Sequence, residues 1–261
     1  MTGSRYGDVS VTVSDNYVAV VEMHRPPHNF FDHELIRNLA DAFEALDQDD
    51  RCRALVLAAE GKSFCAGANF SAHPPGSARP VLKTNPMYAE AVRLFACKKP
   101  VVAAVQGPAI GGGLGVAMVA DFRVASPEAR FAANFVKISF HPGFGLTHTL
   151  PRVIGQQKAN LLFLTGRRVD GQTAYEWGLA DQLSTAERVR EDAIALAEEI
   201  AENGPLAVVA TRATMRGDLA DKVRAQTAHE HEEQTWMSTT ADHAEGVKAV
   251  SERRPGRFIG K

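Results

Sequence analysis

Short apolar runs with strand-like alternation fill the first half of the chain, and apolar residues recur at helical spacing in the second. Residues 9–13 and 17–23, rich in Val, read as two strands joined by Ser14-Asp15-Asn16, a hairpin signal. Asp32 stands where it caps a helix, and Leu35, Ile36, Leu39, Phe43 and Leu46 mark that helix's apolar face. Residues 53–58 read as a buried strand, as do residues 101–105 and 122–125. Between them, a loop rich in Pro, Ser and Gly over residues 71–86 reads as a lid, ahead of a helix carrying Tyr88, Ala91, Val92, Leu94 and Phe95. A further helix is expected over residues 116–120. Strands alternating with helices predict an α/β architecture.

From Gln157 onward the pattern is largely helical. Val189, Ile194, Leu196 and Ile200 recur between charges, and Asn203-Gly204-Pro205 stops that helix. The charged stretch Glu230-His231-Glu232-Glu233 belongs to the same helical region. The expected organisation is therefore a core carrying the site over residues 1–200 and a C-terminal helical subdomain over residues 201–261.

Two glycine turns follow buried strands: Ser63-Phe64-Cys65-Ala66-Gly67-Ala68-Asn69-Phe70 and Gly107-Pro108-Ala109-Ile110-Gly111-Gly112-Gly113-Leu114-Gly115. Without bulky side chains, each lets a ligand approach bare backbone N–H groups. Two such donors converging on one carbonyl oxygen make an oxyanion hole. The second turn is not a phosphate loop: Gly113 stands where a Walker lysine belongs, and the dinucleotide glycine spacing is absent.

The formal charge of -2 gives no electrostatic case for nucleic acid or an anionic membrane as partner. Cys52, Cys65 and Cys97 lack metal-ligand spacing, so neither a metal site nor a disulfide framework is expected, and reduced cytosolic thiols are the simpler reading. The N-terminal residues lack the apolar core of a signal peptide, which predicts a cytoplasmic protein. Residues 101–120 are uncharged and long enough to span a bilayer, but five glycines, Pro108 and Gln106 fit a strand, a turn and a buried helix better.

These turns and their spacing resemble the crotonase superfamily, the enoyl-CoA hydratase and isomerase family, from Arg25-Pro26-Pro27-His28-Asn29 to the closing Arg254-Pro255-Gly256-Arg257-Phe258. The resemblance implies a spiral of ββα units, a homotrimer or dimer of trimers built through the C-terminal helices, and an acyl-CoA substrate with no other cofactor. It also implies that the N–H groups of Ala68 and Gly112 polarise the thioester. The acyl-CoA is expected along Pro27, Asn29 and Phe30, along Ala66, Asn69 and Phe70, and beside Gly111, Gly115, Asn134, Phe135 and Gly143. The chain departs from the family where it matters most. Hydratases of this family carry a glutamate two residues after the triple glycine and another in the segment that begins here at Phe131; this chain has Gly115 and Phe135. A small residue and an aromatic are expected to enlarge and dry the pocket there.

With those carboxylates gone, His141 is the remaining proton-transfer candidate, because it precedes the family's pocket loop Pro142-Gly143-Phe144-Gly145. His73 and His148 are weaker candidates. No Gly-x-Ser-x-Gly elbow occurs to support a serine nucleophile. Two functions fit: an enzyme that stabilises an enolate for decarboxylation, hydrolysis or isomerisation without efficient hydration, or a non-catalytic acyl-CoA carrier or sensor.

Overall fold

The computed structural model describes residues 2–69 and 84–261. The chain opens with an antiparallel meander of β1 (Thr2–Tyr6), β2 (Val9–Val13) and β3 (Val18–Met23). The sequence reading anticipated the last two; β1 joins them through a turn at Gly7, whose φ is +54°. Next come α1 (His33–Asp47), β4 (Ala54–Ala59), α2 (Pro86–Phe95), β5 (Val101–Val105), β6 (Ala109–Ile110), α3 (Gly112–Ala117), β7 (Phe122–Ala125) and β8 (Arg130–Ala132). A 3-10 turn (Asn134–Ile138) leads into α4 (Leu146–Ile154), α5 (Gln156–Thr165), β9 (Arg168–Asp170), α6 (Gly171–Glu176) and β10 (Gln182–Leu183). The helices α7 (Val189–Ala201), α8 (Pro205–Arg216), α9 (Leu219–Met237) and α10 (Ala241–Ser251) close the chain.

One sheet has the order β1-β2-β3-β4-β5-β7-β10, parallel from β3 onward. Its central strands are apolar on both sides. In β4, Leu55 and Leu57 face the main core, whereas Ala54, Val56 and Ala58 face the other way, beneath α7. That two-sided burial is why these strands read as continuous apolar runs. Asp32 caps α1 as expected, accepting from the Leu35 N–H at 2.9 Å. The expected apolar stripe of α7 is corrected by the structure. The buried line is Val189, Ala193, Ala197 and Ala201, with Ile194, Leu196 and Ile200 only partly buried at its sides. Small residues let the helix lie close on the sheet, so the bulkier ones are displaced to the flanks.

A second stack runs across the ends of these strands. After β3 the chain pairs Phe31 with Ala68; after β4 it pairs Cys65 with Ala109; after β5 and β7 it forms β6 and β8, which are parallel neighbours. Each of β3, β4, β5 and β7 is thus followed by a short rung in the second stack, the ββα spiral. The rungs after β4 and β5 end in the two glycine turns, so the spiral sets those turns side by side.

Candidate active site

Gly67 adopts φ +85°, and a Cβ built on it would stand 2.7 Å from the Ile110 carbonyl oxygen and 3.8 Å from the Gly112 nitrogen. The two turns are therefore in direct contact, joined by hydrogen bonds from the Cys65 N–H to Pro108 O and from the Ile110 N–H to Cys65 O, both 3.0 Å. The helix expected over residues 116–120 begins earlier, at Gly112. Gly111 makes that start, with φ 56° and ψ −122°, while its N–H donates to Ala132 O at 2.7 Å. Gly112 is then the first helical residue, and its N–H has no acceptor one turn earlier. The ring of Phe31 abuts Gly112, and the Cys65 carbonyl abuts Gly113, so neither position has room for a side chain.

At Gly115 the expected enlargement is not found. A Cβ there would lie 2.7 Å from both Cβ and Cδ1 of Phe144, which fills the space itself. Phe135 is half-buried on the 3-10 turn, its ring tip 3.8 Å and the Asn134 Oδ1 3.6 Å from a Cβ built on Gly111. The structure thus gathers Gly67, Ala68, Gly111, Gly112, Gly115, Asn134 and Phe135 around the paired turns, with the Phe144 ring against Gly115 and the Phe135 ring near Gly111.

Asn29 is fully buried and its side chain is a brace. Its Oδ1 accepts from the Arg25 N–H at 2.9 Å, and its Nδ2 donates to Glu60 O at 2.8 Å and Ser63 O at 2.7 Å. Any contact with a ligand falls to its main chain. Pro27 is exposed and Phe30 half-buried, and the Ala66 N–H donates to His28 O at 2.9 Å, tying this segment to the first glycine turn. Asn69 is exposed at that turn's end. Phe70, His73 and most of the expected lid lie outside the described residues.

His141 is half-buried, its Nδ1 2.8 Å from the Pro142 carbonyl. A carbonyl only accepts, so Nδ1 is the donor in this contact. The ring stands edge-on to His229 of α9, 5.8 Å between centroids. Gln234 Nε2 donates to the His141 carbonyl at 3.0 Å, and the Tyr88 hydroxyl donates to Gln234 Oε1 at 2.8 Å. The same two side chains crowd Gly143. His148 lies in α4, its pKa lowered by burial and by Arg152.

The sequence reading missed Glu230. It is wholly buried, accepting from the Gly145 N–H at 2.7 Å, from the Thr147 hydroxyl at 2.6 Å and from the Thr147 N–H at 3.2 Å. Burial outweighs those bonds and pushes its carboxyl up to about 7. Its spacing was the available signal: Val223, Thr227, Glu230 and Gln234 fall on one face of α9, and all four are buried.

The family model for enoyl-CoA hydratase/isomerase matches residues 14–261. A crotonyl-CoA hydratase of Syntrophomonas wolfei is 31% identical, over 94% of this chain and 95% of its own length. A 1,2-epoxyphenylacetyl-CoA isomerase of Escherichia coli is 30% identical, over 94% of this chain and 95% of its own. The crystal structure of an enoyl-CoA hydratase/isomerase from Pseudoalteromonas atlantica superposes with a TM-score of 0.85 at 30% identity, covering 97% of this chain and all of that one. With the spiral and the paired glycine turns, these matches establish that the chain belongs to the enoyl-CoA hydratase/isomerase family of the crotonase superfamily.

Proposed function

We propose that this protein is an acyl-CoA enzyme that stabilises an enolate between the N–H groups of Ala68 and Gly112 and is not an efficient hydratase. The observation that carries this reading is the contact between the two glycine turns, with a helix starting at Gly112. A thioester oxygen held by both amides gains negative charge as its α-carbon loses a proton or a carboxylate, and fixed donors stabilise that charge without reorganising. General acid or base work is worth roughly 10²- to 10⁴-fold, and Gly115 and Phe135 supply none. The chemistry left to such a site is decarboxylation of a malonyl-type thioester, thioester or carbon–carbon hydrolysis, or isomerisation with the proton carried by His141. Coenzyme A enters only as part of the substrate.

Isotope-edited infrared spectra of a bound acyl-CoA test the donors: the carbonyl stretch is expected below that of the free thioester. Gly112→Pro, made in a Phe31→Leu background to clear the ring that abuts Gly112, removes the N–H and returns the stretch toward the free value. An unshifted stretch in the parent refutes the reading. So does crotonyl-CoA hydration at about 10 s⁻¹ or more, an ordinary enzymatic rate.

Phe144 packed against Gly115 favours a second reading, a carrier or sensor that holds the thioester without turning it over. A panel of acyl-CoAs, with retained ligand identified by mass spectrometry, separates the two: turnover of any member sets the carrier aside.

A further inference from the structure

Phe144 holds φ +63°, a backbone conformation that is an outlier for a bulky residue, yet it is only 1% exposed. Such strain persists where the surroundings over-determine it, and here they do. Before it, Gly143 is hemmed in by the Tyr88 hydroxyl and the Gln234 amide; after it, the Gly145 N–H is held by Glu230. The ring is thereby lodged 5.8 Å from that of Phe31 and 6.5 Å from that of Phe95, measured between centroids, and against the helix α3 at Gly115. Beside the glycine helix the ring thus fills the space that Gly115 alone would leave open.

We propose that Phe144 is a specificity-determining residue of the acyl site, closing the volume beside Gly112 and Gly115 so that the site takes narrow, unbranched acyl thioesters and rejects those branched next to the carbonyl. The proposal rests on the acyl-CoA reading above. It differs from a purely structural role in predicting a change of preference, since a core residue with no part in recognition would lower stability without reordering ligands.

Isothermal titration of the parent, Phe144→Leu and Phe144→Ala with butyryl-CoA, pivaloyl-CoA and coenzyme A tests it. The parent is expected to favour butyryl-CoA over pivaloyl-CoA by about tenfold or more, the scale on which apolar pockets discriminate methyl-sized groups. Phe144→Ala is expected to reduce that ratio by about tenfold while coenzyme A affinity stays within about twofold. Adding Gly115→Ala to Phe144→Ala refills the recess and restores part of the preference. Phe144→Leu removes the ring but keeps apolar bulk, and it carries the same test if the alanine variant does not fold. An unchanged ratio in a folded variant overturns the proposal, as does a parent that binds all three ligands without discrimination; both leave the acyl-CoA reading standing. A parent that binds neither coenzyme A nor any thioester overturns that reading, and this proposal with it.

Discussion

Gly115 shows how a single missing side chain reshapes its surroundings. The sequence reading expected open space there, because composition reveals what a residue lacks and not which distant ring fills the gap. Phe144 is 29 positions away in the chain, and contact between them exists only after the spiral brings the pocket loop over α3. Gly115→Glu should therefore destabilise the protein by about 1–3 kcal/mol through overpacking alone. Thermal unfolding is expected to show a Tm several degrees lower, at roughly 2–4 °C per kcal/mol for a chain of this size. The loss should shrink when Phe144→Ala is combined with it; an additive pair would mean that the ring is not what the glutamate meets. His141 calls for a different measurement, since its described contacts are with Pro142, Gln234 and His229. If its Nε2 carries the substrate proton, His141→Ala should lower turnover of any acyl-CoA substrate by roughly 10²-fold with affinity nearly unchanged. Equal turnover by both proteins would assign the imidazole to bracing the loop. The glycine turns themselves were legible because close backbone approach and positive φ at Gly67 and Gly111 leave so few alternatives to glycine.

At the scale of elements, strands and helices were read correctly where pattern and packing agree, as in α1, whereas the buried face of α7 was misread because small residues carry its packing. Ala197 sits in the middle of the α7 stripe, fully buried over the parallel strands. Ala197→Leu should lift the helix from the sheet and cost about 1–3 kcal/mol in chemical denaturation, despite leucine being as good a helix former as the site needs. The charged run of α9 was read correctly as helical, but Glu230 sits among charged neighbours and only its helical phase turns it inward. Its carboxyl is raised from 4.5 to about 7, so between those pH values the folded protein binds more protons than the unfolded chain. The stability this group contributes is full below about 4.5 and is lost as pH rises through about 7, a change of order 3 kcal/mol at most. Urea unfolding of the parent and Glu230→Gln at pH 5 and pH 8 should show the glutamine variant gaining relative to the parent at the higher pH. No relative change would place the ionisation of Glu230 outside this range.

For the whole molecule, the alternation of strands and helices fixed the class, and the resemblance supplied the spiral that alternation alone does not specify. How chains associate depends on what a single chain leaves uncovered. The described residues of α8 include none that are buried, with Leu206 86% and Met215 76% exposed, and Trp236 of α9 is 55% exposed. The inner side of α8 is nonetheless held to the core through Arg212 and Arg216, both ion-paired to Asp121 at 2.8 Å, so the helix is anchored while its apolar residues face outward. We propose that these residues are covered in a homotrimer, or a dimer of trimers, assembled through residues 201–261. Light scattering is expected to give three or six times the 28.2 kDa of one chain. Leu206→Glu combined with Met215→Glu should place charges in that interface at little cost to the separate chain, because surface substitutions away from packed features usually stay within about 0.5 kcal/mol. The expected result is a smaller species with native circular dichroism. A parent that runs as one chain, or a doubly substituted protein whose mass and concentration dependence match the parent's, would show that α8 is not the assembly surface.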